Sequence, residues 1–422
     1  MKTSNFFGCS LLSLGLSLAC AASSGGPDAG DGLGTDGATN AGGTGSGVGG
    51  NGLATGGAGN DTGGTGTGSG TGSGGGTGSG GGTINPGEWN AFTMTGADAT
   101  LASAYQTWKA AFYRDDCGGG VASVKKSSNE TVSEGIGYGM LITANLGTQA
   151  DFDGLNQFYQ NALKTVSGLM YWQCAGCGNC GGGASASDGD LDVAMALLQA
   201  DQRWGGYSSA ALAVIQNLRK AIIVETCGSL TIMKPGEWGG CSDAGSKFIN
   251  PSYFSPGYYR AFAKADPSGA ATWNALIDST YTVLAASKDS HHNGNLMWPD
   301  GQSWNGTAFS GSTGFAGNGY DACRVPWRLA IDYAWTGEAR AQTLLSWASG
   351  QIDASSMAAM STDQNSAFFG ALALTGTAVS QEKADAYYST WTTANLDDAP
   401  YYQGTLKLIY LMQAAGQFPS TL

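Results

Sequence analysis

The sequence predicts an all-α fold of about twelve helices, and three observations carry that prediction. Apolar residues recur at helical spacing in one segment after another. Loops rich in Gly, Ser, Asn and Pro separate these segments, and no convincing run of period-two alternation marks a strand. Helices are expected near 98–112, 134–146, 152–166, 191–204, 210–224, 256–264, 272–287, 322–335, 338–349, 366–374, 381–393 and 404–414. Twelve helices in one domain can pair as six outer and six inner, a closed toroid whose concave face is lined by helix ends. The three longest loops, 167–189, 225–255 and 288–321, each precede a helix that opens on or just after an acidic residue or a Pro. Brought to one face, they would build a single cleft.

The chain begins with a cationic start, an apolar run from Phe6 to Leu18 and small residues around Cys20. This describes an export signal over 1–22, too short for a membrane anchor. The residues before Cys20 resemble a lipoprotein signal in looser form, so lipidation at Cys20 and plain secretion both stay open. Residues 23–86 are almost entirely Gly, Thr, Ser, Ala, Asn and Asp, without an aromatic, and are expected to be a disordered linker. Such a tether would reach ~45 Å. Residues 87–422 carry all 12 Trp and all 17 Tyr with no second low-complexity break, so one large domain is expected there, as a monomer.

A net charge of −13 argues against nucleic acid and anionic membrane surfaces as partners, and suits a neutral or cationic substrate. Loss of Cys9 and Cys20 from the 9 cysteines leaves an odd number, so disulfides with at least one free thiol are expected after export. Cys227 and Cys241 flank a Gly-rich loop that they could close. Cys174-x-x-Cys177-x-x-Cys180 has zinc-like spacing but no evident fourth ligand; disulfides are preferred to a metal there. Cys323 reads as a buried small side chain, and His291 and His292 as solvent-exposed residues without a role.

Three acidic stretches carry chemistry. In Thr131-Val-Ser-Glu134-Gly-Ile-Gly-Tyr138-Gly-Met, a carboxylate opens a helix and three glycines leave it little side-chain cover. The bland alternative is a capping box between Thr131 and Glu134. In Ala186-Ser-Asp188-Gly-Asp190, two carboxylates stand where one would suffice as a cap, which leaves one for another task. In Tyr320-Asp321-Ala-Cys-Arg324-Val-Pro-Trp-Arg328, Arg324 lies one turn after Asp321 and could keep it ionised, unless the pair is an N-cap with a surface ion pair.

Together the stretches resemble glycoside hydrolase family eight, the inverting endoglucanase family built as an (α/α)6 barrel. The match runs over 131–140, 186–204, with Val193 where Ile or Met is usual, and 320–328; Asn250-Pro-Ser-Tyr253-Phe-Ser-Pro256 and Tyr401-Tyr402 also look like family positions. Loop 290–301 departs from the pattern. The resemblance implies Glu134 as proton donor, Asp321 as base, and Asp188 and Asp190 as the pair holding the sugar, with Asp190 preferred. Inversion needs one protonated carboxyl and one ionised carboxylate. Glu134 must therefore be kept protonated against the lowering effect of a helix N-terminus.

Trp172, Trp238, Tyr320 and Tyr402 are candidate sugar platforms and Arg324 a further binding residue, whereas Trp108, Trp204, Trp335 and Trp391 are read as packing. No metal or cofactor is expected. The substrate expected is β-1,4-glucan, as cellulose or mixed-linkage glucan. The alternatives are chitosan or xylan on the same scaffold, or a surface carbohydrate-binding lipoprotein that has lost catalysis, which would want Glu134 or Asp321 missing. A polysaccharide lyase would want a Tyr/His or Tyr/Arg centre and more basic residues.

Overall fold

The computed structural model describes residues 89–422 except 163, 182, 224, 289–296, 312–318 and 356. The export signal, the linker, Cys20, His291 and His292 lie outside the described residues. All twelve expected helices form: α1 (Ala97–Phe112), α2 (Ser133–Leu146), α3 (Gln149–Asn161), α4 (Ser187–Trp204), α5 (Ser208–Leu218), α6 (Pro256–Ala265), α7 (Ala270–Ser287), α8 (Val325–Thr336), α9 (Ala339–Gln351), then, after the single turn α10 (Met357–Met360), α11 (Ser366–Leu374), α12 (Gln381–Thr393) and α13 (Tyr401–Ala414).

Their packing closes a ring. Helix α2 packs on α4, α4 on α6, α6 on α8, α8 on α11, α11 on α13, and α13 back on α2. The others form an outer layer, with α1 on α13, α3 on α2, α5 on α4, α7 on α6, α9 on α8 and α12 on α11. This is the expected (α/α)6 barrel, six helices inside six. Inner helices touch protein on every side, so α11 is buried along its whole length, from Ser366 to Leu374. Outer helices keep one wet face; α12 buries only Ala384, Tyr387 and Trp391.

Helix ends follow local chemistry. Helix α3 starts earlier than the apolar pattern suggests because Thr148 and Asp151 make a capping box, each side chain accepting from the other's backbone N–H. It also stops at Asn161, so the expected extension to 166 is not helical. Helix α5 ends in a π-helical turn, Arg219–Ile223, and α13 begins directly after Pro400.

Short strands are the main departure from expectation. In the loops, β1 (Tyr113–Arg114) pairs with β2 (Ser123–Val124), and β3 (Glu130–Val132) with β4 (Gln173–Ala175), which pairs with β5 (Asn179–Gly181). A hairpin joins β6 (Glu225–Cys227) to β7 (Leu230–Ile232), and β9 (Gln302–Trp304) lies between β8 (Phe248–Ile249) and β10 (Phe309–Gly311). All pairs are antiparallel. Two or three residues are too few for alternation to show in sequence.

Disulfides brace these loops. Cys227–Cys241 forms as expected. The Cys174, Cys177 and Cys180 cluster is consumed by disulfides too: Cys174 joins Cys180 across β4 and β5, and Cys177 joins Cys117. Cys323 stays a buried free thiol among the described residues.

Candidate active site

All six inner helices point their N-termini to one end of the barrel, and the three long loops meet there. Strand β3 runs straight into α2 and so delivers Glu134 to the first turn. The Ser133 N–H donates to the Trp172 carbonyl, which ties this entry to the loop before α4. The capping-box alternative is not what forms: the N-cap is Val132, and no side chain caps α2. Glu134 instead faces the barrel axis, where Tyr401 Oη at the start of α13 donates to Oε1 at 3.0 Å.

Arg324 is the hub of the site. Its side chain is only 2% exposed, and Nη1 donates to Glu134 Oε2 at 2.9 Å and to Asp188 Oδ2 at 3.2 Å. Nη2 donates to Asp321 Oδ1 at 2.6 Å and to Ser252 Oγ at 3.1 Å. The Tyr138 hydroxyl accepts a further bond from Nη1, and the ring of Tyr253 lies under the guanidinium. Planar, five-donor geometry suits Arg to such a hub where Lys would not serve. The Asp321–Arg324 pair is therefore no surface ion pair but one edge of a buried junction.

Three carboxyls against one guanidinium leave an excess of negative charge in a dry place. Burial, opposed by Arg324 and reinforced by Asp188 and Asp321, pushes Glu134 up to about 7. Asp188 is also raised, first by burial, against the pull of Arg324. Exposure separates the three: 38% for the Asp321 side chain, 20% for Glu134 and 4% for Asp188. Asp321 is thus the carboxyl most open to water, while burial favours the protonated form of both Glu134 and Asp188.

Asp190 goes elsewhere, which corrects the preference for it over Asp188 as the sugar contact. It is fully buried, accepts from Tyr159 Oη and Ser185 Oγ at 2.5 and 2.6 Å, and takes the Met170 N–H at 3.1 Å. Both oxygens are occupied in fastening loop 167–189 to α3, so no face is left for a ligand. Two residues along a helix differ by ~200° in direction, so one acid of the pair reaches the axis and the other the outer layer.

The glycines of α2 also serve a purpose other than the one expected. A Cβ at Gly135 would fall 2.9 Å from Tyr401 Oη, one at Gly137 2.8 Å from the Gly189 carbonyl, and one at Gly139 2.6 Å from Val124. They admit neighbouring elements, not ligand.

The aromatic candidates divide. Trp172 and Trp238 are half-buried in the two loops around the cleft. Tyr320 donates its hydroxyl to Asp363 at 2.7 Å and stacks edge-on against Phe368. Tyr402 spends its hydroxyl on the Tyr320 carbonyl, with its ring toward Arg324. Trp108, Trp335 and Trp391 are core residues, and Trp204 is half-buried beneath the Arg203 guanidinium. Tyr401, Tyr138, Ser252 and Asp300 join the site without having been assigned in sequence. Tyr138 stands one turn after Glu134, and Ser252 and Tyr401 lie in stretches already noted as family-like positions; Asp300 alone carried no signal.

Comparison with known proteins identifies the family. A family model described as Glycosyl hydrolases family 8 matches residues 88–415. Endoglucanase A of Acetivibrio thermocellus is 31% identical over 351 residues, 77% of this chain and 70% of that protein. The beta-glucanase of Niallia circulans is 30% identical over 367 residues, 78% of this chain and 87% of that protein. Among solved structures, the apo beta-1,3-1,4-glucanase from Paenibacillus sp. X4 superposes with a TM-score of 0.66 at 26% identity, covering 78% of this chain and 95% of that one. With the family's motifs gathered around one guanidinium at the open end of a closed helical ring, the chain belongs to glycosyl hydrolases family 8 and is a glycoside hydrolase.

Proposed function

We propose that this protein is an exported, endo-acting β-1,4-glucanase that works on cellulose or mixed-linkage glucan with inversion at the anomeric carbon. Glu134 gives its proton to the leaving oxygen, and Asp321 takes a proton from the attacking water on the opposite face of the sugar. The observation that carries this reading is the junction at Arg324, which holds a protonatable carboxyl and a water-exposed one on different nitrogens of one guanidinium. Arg324 stands between the two groups.

Asp188 shares Arg324 Nη1 with Glu134 at the floor of the site and is the better placed of the two aspartates to hold a sugar hydroxyl at the cleavage point. Half-buried Trp172 and Trp238 supply apolar faces for pyranose rings along the cleft. The glucan specificity is supported by the endoglucanase and beta-glucanase names of the relatives. Export is supported by the three disulfides, which persist in oxidising compartments.

The test is reducing-end release from carboxymethyl-cellulose, lichenan, xylan and chitosan by wild type, E134Q and D321N. Wild type should act best on the two glucans, and each variant should lose about 10²–10⁴-fold in kcat while keeping its circular dichroism. Full activity in either variant removes that residue's role, and a preference for chitosan or xylan removes the substrate.

A further inference from the structure

Asp321 is the residue before the 3-10 turn Ala322–Arg324 that leads into α8, the place where an aspartate ordinarily turns back to cap a helix. It makes no side-chain cap. The Cys323 and Arg324 amides that such a cap would serve donate instead to the Gly319 and Asp321 carbonyls, and a second carboxyl takes the amides on either side: Asp300 Oδ1 accepts the Ala322 N–H at 2.7 Å, and the Gly319 N–H also donates to this carboxyl. The two amides flank Tyr320 and Asp321 on either side. Asp300 lies so close to this turn that a Cβ on Gly319 would fall 2.0 Å from Oδ2, so only Gly lets the segment wrap around it.

We propose that Asp300 is a positioning residue for the reaction: by holding the amides on both sides of Tyr320–Asp321, it fixes the backbone so that the Asp321 carboxyl faces Arg324 and solvent. Deprived of Asp300, the Ala322 and Gly319 amides lose their acceptor and the backbone that aims Asp321 loses its anchor. The arrangement sets two carboxyls beside each other. Burial, followed by the charge of Asp321, pushes Asp300 up to about 7 against the Ala322 and Gly319 amides and Arg324. A neutral Asp300 still offers an acceptor, so the anchor survives protonation.

The inference rests on Asp321 acting as the base, and the experiment separates the two. Steady-state kinetics on lichenan are measured for D300A and D300N, each in the wild-type and the D321N background, the latter at high enzyme concentration. D300A should lower kcat by about 10- to 100-fold with KM changed less than about threefold, the scale of a ~1 Å misplacement. D300N keeps an acceptor for Ala322 and should retain kcat within about fivefold of wild type. In D321N, where there is no base left to misplace, D300A should change the residual rate by less than about twofold.

Wild-type kcat in D300A, or the same loss in both backgrounds, overturns the inference; so does D300N as impaired as D300A. If D300A does not fold, D300L, which keeps the forked shape without an acceptor, is measured in its place with the same expectations, and a D300L loss equal in both backgrounds, or wild-type kcat in D300L, overturns it. Activity in D321N itself strikes at the base assignment, whereas an inactive D321N beside a fully active D300A strikes at Asp300 alone.

Discussion

Glu134 is under opposing influences. The N-terminus of α2 and the Arg324 guanidinium favour its charged form, while burial and two neighbouring carboxyls disfavour it, and burial prevails, bringing the group to about 7. Two expected outcomes follow from the sign. As a proton donor, Glu134 should impose an alkaline limb on kcat/KM with an apparent pKa of about 7. For stability, the folded chain keeps a proton that the unfolded chain loses above its ordinary value of 4.5. The favourable contribution is therefore complete below that value and is lost as pH rises through about 7. Between about pH 5 and 8, the melting temperature of wild type should fall relative to that of E134Q; parallel curves would remove the shift. Asp300 has the same sign and leaves a residual slope in E134Q.

The positions of Glu134, Asp188 and Asp321 were legible in the chain because each stands at a helix start with a partner or a Gly in fixed register. The choice between Asp188 and Asp190 was not, since it depends on which way α4 is rotated about its axis. Asp300 was invisible for a related reason: its partners, Gly319 and Ala322, lie about twenty residues further along and no local pattern joins them to it.

At the scale of elements, the seam between α2 and α4 sets the width of the site. Gly137 faces Gly189, and a Cβ on Gly189 would lie 2.6 Å from Ser133 backbone and side chain. Ala at Gly137 would meet the Asp192 Cβ and the Gly189 carbonyl, both at 2.8 Å and both on α4. Asp192 cannot yield, because its two oxygens hold Arg328 at 2.6 and 2.9 Å, with both residues essentially buried. G137A is expected to destabilise by about 1–3 kcal/mol, the usual range for overpacking, despite the better helix propensity of Ala. Denaturant unfolding checks this, and a stabilised variant would show that the helices can part without loss. The same seam explains why α2 and α4 could be recognised as helices without their inner faces being identified. Helices buried on all sides carry little amphipathic pattern, so Gly and Ala spacing replaces it.

For the whole molecule, the alternation of helices along the chain determines both the barrel and where chemistry can occur. Each inner helix returns to the same end after an antiparallel outer partner, so six N-termini, and the loops before them, converge at one opening. This much followed from helix count and loop lengths, because helices of ten or more residues announce themselves by periodicity. The small sheets did not, since strands such as β1 and β8 span two residues. Nor did the pairing of Cys117 with Cys177, which are 60 residues apart and meet only once β3, β4 and β5 have assembled. Glu134, Asp188 and Asp321 reach Arg324 from three separate parts of the ring, and in the proposed reaction Asp321 activates water on one side while Glu134 gives its proton on the other. Proton NMR of the first cello-oligosaccharide products, followed before mutarotation, tests this most directly: the α-anomer should appear first, and an initial β-anomer would contradict the account.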